Sequence, residues 1–257
     1  MTAGYIRSVQ PSLFGQPDVV GFGDDAFRVV EISRDLANRV IVENHYSRKF
    51  YAASYVHLGV FIDAEMVGVL QFGYAMNPAS ADSVVAGTAM SEYLELNRMW
   101  LDDVAPRNSE SRAIACAIRF IRWKLPKIKW IQSFSDERCG LFGTVYQASG
   151  FTYHGEHSAI FWTLDGQVYH NSLMTRSPEL SKAAAHLIEN KDRATSETLR
   201  QFRYLKFLKP RFAKGCRHPA LPYPKPDYAA RPEDERPPRR LSTVQPRGAA
   251  PIEGDAA

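Results

Sequence analysis

The sequence is poor in the features that announce the commonest enzyme classes. It holds three cysteines in 257 residues, Cys116, Cys139 and Cys216, far apart and with no CxxC spacing. That excludes a disulfide framework and a zinc knuckle, and suits a reducing compartment. No apolar run approaches the roughly 18–20 residues that a bilayer span needs. The first residues, Met1 to Gln10, lack the charged and apolar stretches of a secretory signal, so a cytoplasmic location with no membrane partner is expected. The sequence contains no GxxxxGK[ST], no GxGxxG after a strand, no HExxH and no GxSxG, which removes the P-loop, Rossmann, zincin and serine-hydrolase readings.

What is present is ordinary for a folded α/β chain: 45% hydrophobic, 12% aromatic and 23% charged residues, with a net charge of +4. That charge permits nucleic-acid binding without demanding it. Residues 1–25 carry no clear period and read as a lead-in. Phe27–Ile32 reads as a strand, and Ser33 caps a helix reaching Asn44. A hairpin follows, Val56–Ile62 and Met66–Tyr74. Tyr93–Trp100 reads as a strand whose alternation blurs after Asn97. A helix opened by Ser109 or Ser111 carries Ile114, Ile118, Ile121 and Leu125 on one face and ends at Pro126. Lys129–Phe134, a short helix ending at Gly150, and strands at Phe151–Tyr153 and Ala159–Leu164 complete a mixed sheet covered by helices, over residues 26–176. Residues 177–217 read as a basic helical extension and 218–257 as a disordered Pro/Arg-rich tail.

Five places carry candidate chemistry. Glu43–Arg48 (ENHYSR) ends the first helix; His45 and Tyr46 there suit acid–base work or metal ligation, or simply a polar helix terminus. Asp136, in Ser133–Arg138 (SFSDER), follows a buried strand, either facing a ligand or capping a turn. Tyr146, in Gly143–Phe151 (GTVYQASGF), has a phenol suited to protonating a leaving group, or is packed. Arg98 holds an acidic cofactor group or forms a salt bridge. In Leu199–Arg217, Arg200, Arg203, Lys206 and Lys209 recur every three residues among aromatics. This reads as a helix whose aromatics dock while its cations face nucleic acid.

The element order from Phe27 to Leu164 resembles the GNAT acetyltransferase fold. In that family the fourth and fifth strands splay to admit an acyl donor, and a tyrosine on the following helix acts as acid; Tyr146 holds that place. The stretch matching the GNAT phosphate loop, Ala105–Ala113, has no glycine and departs from (Q/R)xxGx(G/A). Arg107, Ser109 and Ser111, with Arg98, are the cofactor-binding candidates, since helix N-terminal amides hold phosphates. ENHYS, SFSD and GTVYQASGF together, in that order, resemble the Mom proteins of Mu-like phages over roughly residues 27–210. The resemblance implies carbamoylmethylation of adenine in DNA, protection from host restriction, an active site of His45, Tyr46, Asp136 and Tyr146, and iron held by His45, Tyr46 and Asp136. The implied partner is DNA, and the donor is glycyl-tRNA or acetyl-coenzyme A. Two alternatives stand beside it, an ordinary GNAT acetyltransferase acting on a small amine or protein, and a non-catalytic nucleic-acid-binding protein on the same scaffold.

Overall fold

The computed structural model describes residues 4–7, 20–137, 142–175, 179 and 181–225. Among these residues ten strands form one sheet, β1 (Gly4–Arg7), β2 (Val20–Gly23), β3 (Phe27–Glu31), β4 (Ser54–Ile62), β5 (Glu65–Gly73), β6 (Tyr93–Leu101), β7 (Trp130–Asp136), β8 (Thr152–Leu164), β9 (Gln167–His170) and β10 (Thr195–Phe207). The spatial order is β1-β2-β3-β4-β5-β6-β7-β10-β8-β9. Every neighbouring pair is antiparallel except β6 and β7. The helices are α1 (Arg34–Asn44), α2 (Ala81–Val84), α3 (Ser109–Lys124), α4 (Thr144–Ala148) and α5 (Lys182–Glu189). None of the helices among the described residues is long and apolar enough to cross a membrane. This is the mixed, helix-flanked sheet expected from the sequence, with its parallel pair where the GNAT resemblance puts the splay.

Strand alternation sorts side chains to two faces. Leu94, Ile131, Phe202 and Tyr204 point toward α3 and join the main core with Ile114, Ile118 and Ile121. Tyr93, Trp130 and Leu205 point the other way, under α2. On that same side α1 buries Ala37, Val40 and Ile41 against Val69 of β5. Ser33 caps α1 as expected, its hydroxyl accepting from Leu36 N.

Three readings need correction. Residues 195–207 form β10, a strand inserted between β7 and β8, where a basic helix was expected. Of that segment only Lys182–Glu189 forms an α-helix among the described residues. The two strands expected at 151–153 and 159–164 are one, β8, kinked at Gly155 where its register against β10 shifts. The lead-in contains β1 and β2, and residues 218–225 are tied down: Leu221 N donates to Tyr153 O (2.9 Å) and Tyr223 Oη to Phe151 O (2.7 Å). The expected tail from 226 to 257, and Cys139, lie outside the described residues.

Gly143 shows how tightly the α4 turn is fitted. Its φ is +73°, and a Cβ there would lie 2.3 Å from the Tyr204 ring. The Tyr204 hydroxyl donates to Phe142 O and accepts from Gln147 Nε2 (3.1 Å), so the ring cannot swing aside cheaply. Gly87 has a similar φ of +68° with open space around it. Gly143→Ala should therefore cost at least ~2 kcal/mol and lower Tm by ~5 °C or more, against ~1 kcal/mol for Gly87→Ala. Thermal unfolding of both variants checks this; equal losses would contradict the packing assignment.

Candidate active site

The parallel pairing of β6 and β7 consists of Tyr93↔Trp130, Leu94↔Ile131 and Glu95↔Gln132. Past that last rung the strands part. Gln132 Nε2 donates to Glu95 Oε2 (2.8 Å) at the fork. A bulge follows in β6: Gln71 pairs Arg98 and Phe72 pairs Leu96, leaving Asn97 unpaired. The bulge lets Glu95, Asn97 and Arg98 all face one cleft, where regular alternation would turn Arg98 away. Asn97 Nδ2 donates to Glu95 Oε1 (3.1 Å), and its Oδ1 accepts from buried Ser54 (2.9 Å). Burial raises the Glu95 carboxyl above the ordinary carboxylate range, opposed by the two amide donors and by Arg98. A carboxyl so tuned is a stronger base than an ordinary carboxylate.

The cleft, about 470 Å³, opens on the α1 face of the sheet. Tyr46 comes from the α1 exit loop, Phe134 and Asp136 from β7, His157 from β8 and Arg203 from β10. The His157 ring meets Phe134 edge-on at 5.2 Å. Burial, then Arg203, lowers its pKa and favours the neutral imidazole. Arg203 lies 5.7 Å from the Phe134 ring centroid and donates to His218 Nε2 (2.9 Å). Two buried polar atoms of this cleft's residues have no hydrogen-bond partner among the described residues, Gln132 Oε1 and Arg203 Nε. Each such atom costs about 1–3 kcal/mol. The loop after α1 is buckled across the cleft. Arg98 Nε donates to Lys49 O (3.1 Å), and the Lys49 ammonium donates to Val168 O (3.2 Å) while lying 5.0 Å from the Tyr169 ring centroid.

A second concavity, about 570 Å³, lies on the opposite face, between the start of α3 and the end of α4. Arg107, Ser109 and Ser111 line it, with Ala148 and Ser149. Asn108, at φ +70°, begins α3 with no side-chain cap, which leaves first-turn amides for an anion.

The structure thus divides the expected residues. Tyr46, Asp136, Arg98 and Arg203 line the cleft; Arg107, Ser109 and Ser111 line the groove. Arg98, expected beside the cofactor anion, is on the other face from that groove and holds the Lys49 loop. His45 is buried behind Tyr46, their ring centroids 4.2 Å apart, and its Nδ1 receives Ser47 N (3.1 Å). Tyr146 sits on the α3 face, packed 5.4 Å from Tyr204 and 5.7 Å from Phe151. Among the described residues no three His, Cys, Asp or Glu side chains converge as a metal site. The expected iron set of His45, Tyr46 and Asp136 thus gains no support.

The expected basic stripe is absent because a strand turns alternate residues to opposite faces. Arg200 pairs with Glu137 (2.7 Å), Lys206 caps α4 through Ser149 O (3.2 Å) and Gly150 O (2.9 Å), and Lys209 donates to Pro126 O (2.6 Å). Glu95, Asn97, Gln132 and His157 were not among the expected site residues. The available signal was Glu95 itself, a carboxylate between the leucines Leu94 and Leu96 of a strand.

The Mom protein family model matches residues 26–225. The chain is 47% identical over 210 residues to the methylcarbamoylase Mom of Escherichia phage Mu, covering 80% of this chain and 87% of that protein. Among solved structures, a ribosomal-protein-S5-alanine acetyltransferase from Vibrio fischeri is 11% identical at a TM-score of 0.42, covering 73% of this chain and 96% of that one. An N-acetyltransferase from Staphylococcus aureus Mu50 is 12% identical at 0.43, covering 71% and 99%. No residue role follows from likenesses at that level.

Because the folded pKa of Glu95 is raised, the native state binds more protons than the unfolded chain above the ordinary value of 4.5. Its contribution to stability is full below that value and is lost as pH rises through the folded pKa. Glu95→Gln removes the titration. Urea unfolding from pH 4 to 8 should show wild-type stability falling relative to Glu95→Gln as pH rises; a constant difference would refute the raised pKa.

Proposed function

The chain belongs to the Mom protein family, and we propose that it modifies DNA, converting adenine to its N6-carbamoylmethyl form and so shielding phage DNA from host restriction. The relationship to the phage Mu methylcarbamoylase supports the reaction. The observation that carries the reading into this molecule is the two-sided layout. A groove at the start of α3, suited to an anion, lies on one face of the sheet, and on the other a polar cleft reaches Glu95 and Gln132 at the last rung before β6 and β7 part. A donor entering from the first and an amine entering from the second would meet at Glu95.

The product constrains the donor. Acetyl transfer leaves a carbonyl on the amine, whereas carbamoylmethyl joins nitrogen to a CH₂ and ends in a primary amide. A glycyl donor supplies every atom. The adenine amine attacks the activated glycyl carbonyl, its proton passes to Glu95, and the alkoxide or thiolate leaves with a proton from Tyr146. The free glycyl amine then attacks C6 through a five-membered ring. The C6–N6 bond breaks, and N6 departs as the terminal amide nitrogen. Asp136 and neutral His157 are the cleft groups available for the proton transfers of this second stage. Acetyl-coenzyme A as donor would need a separate nitrogen source, so glycyl-tRNA is the better match.

In duplex DNA the amine is paired, so the base must leave the stack at a cost of a few kcal/mol. Tyr46 and Met76, each 57% exposed, line the cleft and can stack on a base or fill the gap it leaves. The groove alone would also suit a small-amine acetyltransferase, and the same experiment separates the two. Bacteria expressing the chain in labelled glycine should yield a deoxyadenosine heavier by one labelled glycine residue on mass spectrometry of digested DNA. Asp136→Asn and Tyr146→Phe should each lower that product at least ~10-fold. Unmodified nucleosides from soluble wild-type protein would favour the small-amine acetyltransferase.

A further inference from the structure

The two orphaned atoms of the cleft are opposite in sense. Gln132 Oε1 is an acceptor and Arg203 Nε a donor, and neither has a partner among the described residues. In the β7–β10 register Arg203 lies across from Phe134, and Gln132 is two residues earlier on the same face. Such diagonal neighbours are within mutual reach of long side chains. Other atoms of both side chains are already engaged. Gln132 Nε2 donates to Glu95 (2.8 Å), and Arg203 Nη1 to His218 (2.9 Å). That fixes the two orphans in place. Glutamine and arginine are poor packing choices here, because apolar residues would fill the same space with no unpaired atom. The pair makes sense if a ligand brings a donor and an acceptor side by side.

Adenine does so on both of its edges, since its amine is flanked by the ring acceptors N1 and N7. Guanine and thymine carry an oxygen acceptor where adenine carries the amine; cytosine has the amine beside an acceptor but lacks the second ring. Resting on the reading of the cleft as the adenine site, we propose that Gln132 Oε1 accepts one hydrogen of the target amine while Arg203 Nε donates to the ring nitrogen beside it. The pair is thus the base-reading element of the cleft. The remaining amine hydrogen is left for Glu95, so the contact that selects the base also presents its reactive proton. Neither residue transfers a proton; both position the base.

The test couples protein and base changes. Full-length wild type, Gln132→Met and Arg203→Met are titrated with thymidine oligonucleotides that differ at one central base: adenine, purine without the amine, 1-deazaadenine or 7-deazaadenine. Wild type should bind adenine at least about tenfold more tightly than purine, and one deaza base should lose a similar factor. Gln132→Met should bind adenine and purine alike, whereas a purely structural glutamine would leave the ratio intact. Arg203→Met should lose the deaza discrimination. Equal binding of adenine and purine by wild type, or an adenine-to-purine ratio in Gln132→Met matching wild type, overturns the assignment. If Gln132→Met does not fold, the wild-type base series and Arg203→Met decide it. Modified deoxyadenosine from wild type together with no base discrimination would sink this inference and leave the proposed function standing. Discrimination without modified nucleoside would do the reverse.

Discussion

Two parallel strands that separate after three rungs set the terms for everything else in this molecule. Their separation interrupts the ladder in the middle of the sheet, where backbone groups would ordinarily pair. Ser133 Oγ partly bridges the gap by donating to Leu96 O (3.2 Å), and Gln132 closes its base by donating to Glu95. A carboxylate, amides and an imidazole can sit at the sheet's centre because the parting makes room for them.

The bulge at Asn97 is the second device. It is also where the sequence stops being easy to read. Tyr93–Asn97 alternate as a strand should, and the pattern then changes phase: Met99 and Leu101 join the α3-side core, and Arg98 and Trp100 turn to the α1 side. Seen as a string this looks like noise; seen as a bulge it is the device that brings Arg98 into the cleft beside Asn97. The capped helix at Ser33, the hairpin, α3 and β7 were legible because each is an apolar run or stripe at its own spacing with a clear boundary. β10 was not. Its buried residues, Leu199, Phe202, Tyr204 and Leu205, do not keep a period of two along the strand, and its cations fall by chance at a helical interval.

The candidate site was legible in part for a related reason. Tyr46 and Asp136 flank elements with readable ends, and both line the cleft. His45 and Tyr146 lie on either side of it, one buried behind Tyr46 and one across the sheet. Glu95, Gln132 and His157 are interior strand positions whose chemistry depends on which strand lies alongside. Only the placement of β10 between β7 and β8 sets Arg203 opposite Phe134. The cations of that strand, which looked like one basic surface, serve separate ends: an ion pair, a helix cap and a cleft wall.

The position of β10 has a consequence for how the protein is made. Residues 195–207 are late in the described chain, yet they lie between β7 and β8, both synthesised earlier. Until they leave the ribosome, β7 and β8 each present an open edge, and the cleft lacks Gln201 and Arg203. Nascent chains and premature termination products therefore hold no assembled site. Completion waits on long-range pairing, which is slow and invites aggregation in the interval. The last strand of the sheet to be made is thus also the one that completes the wall of the cleft.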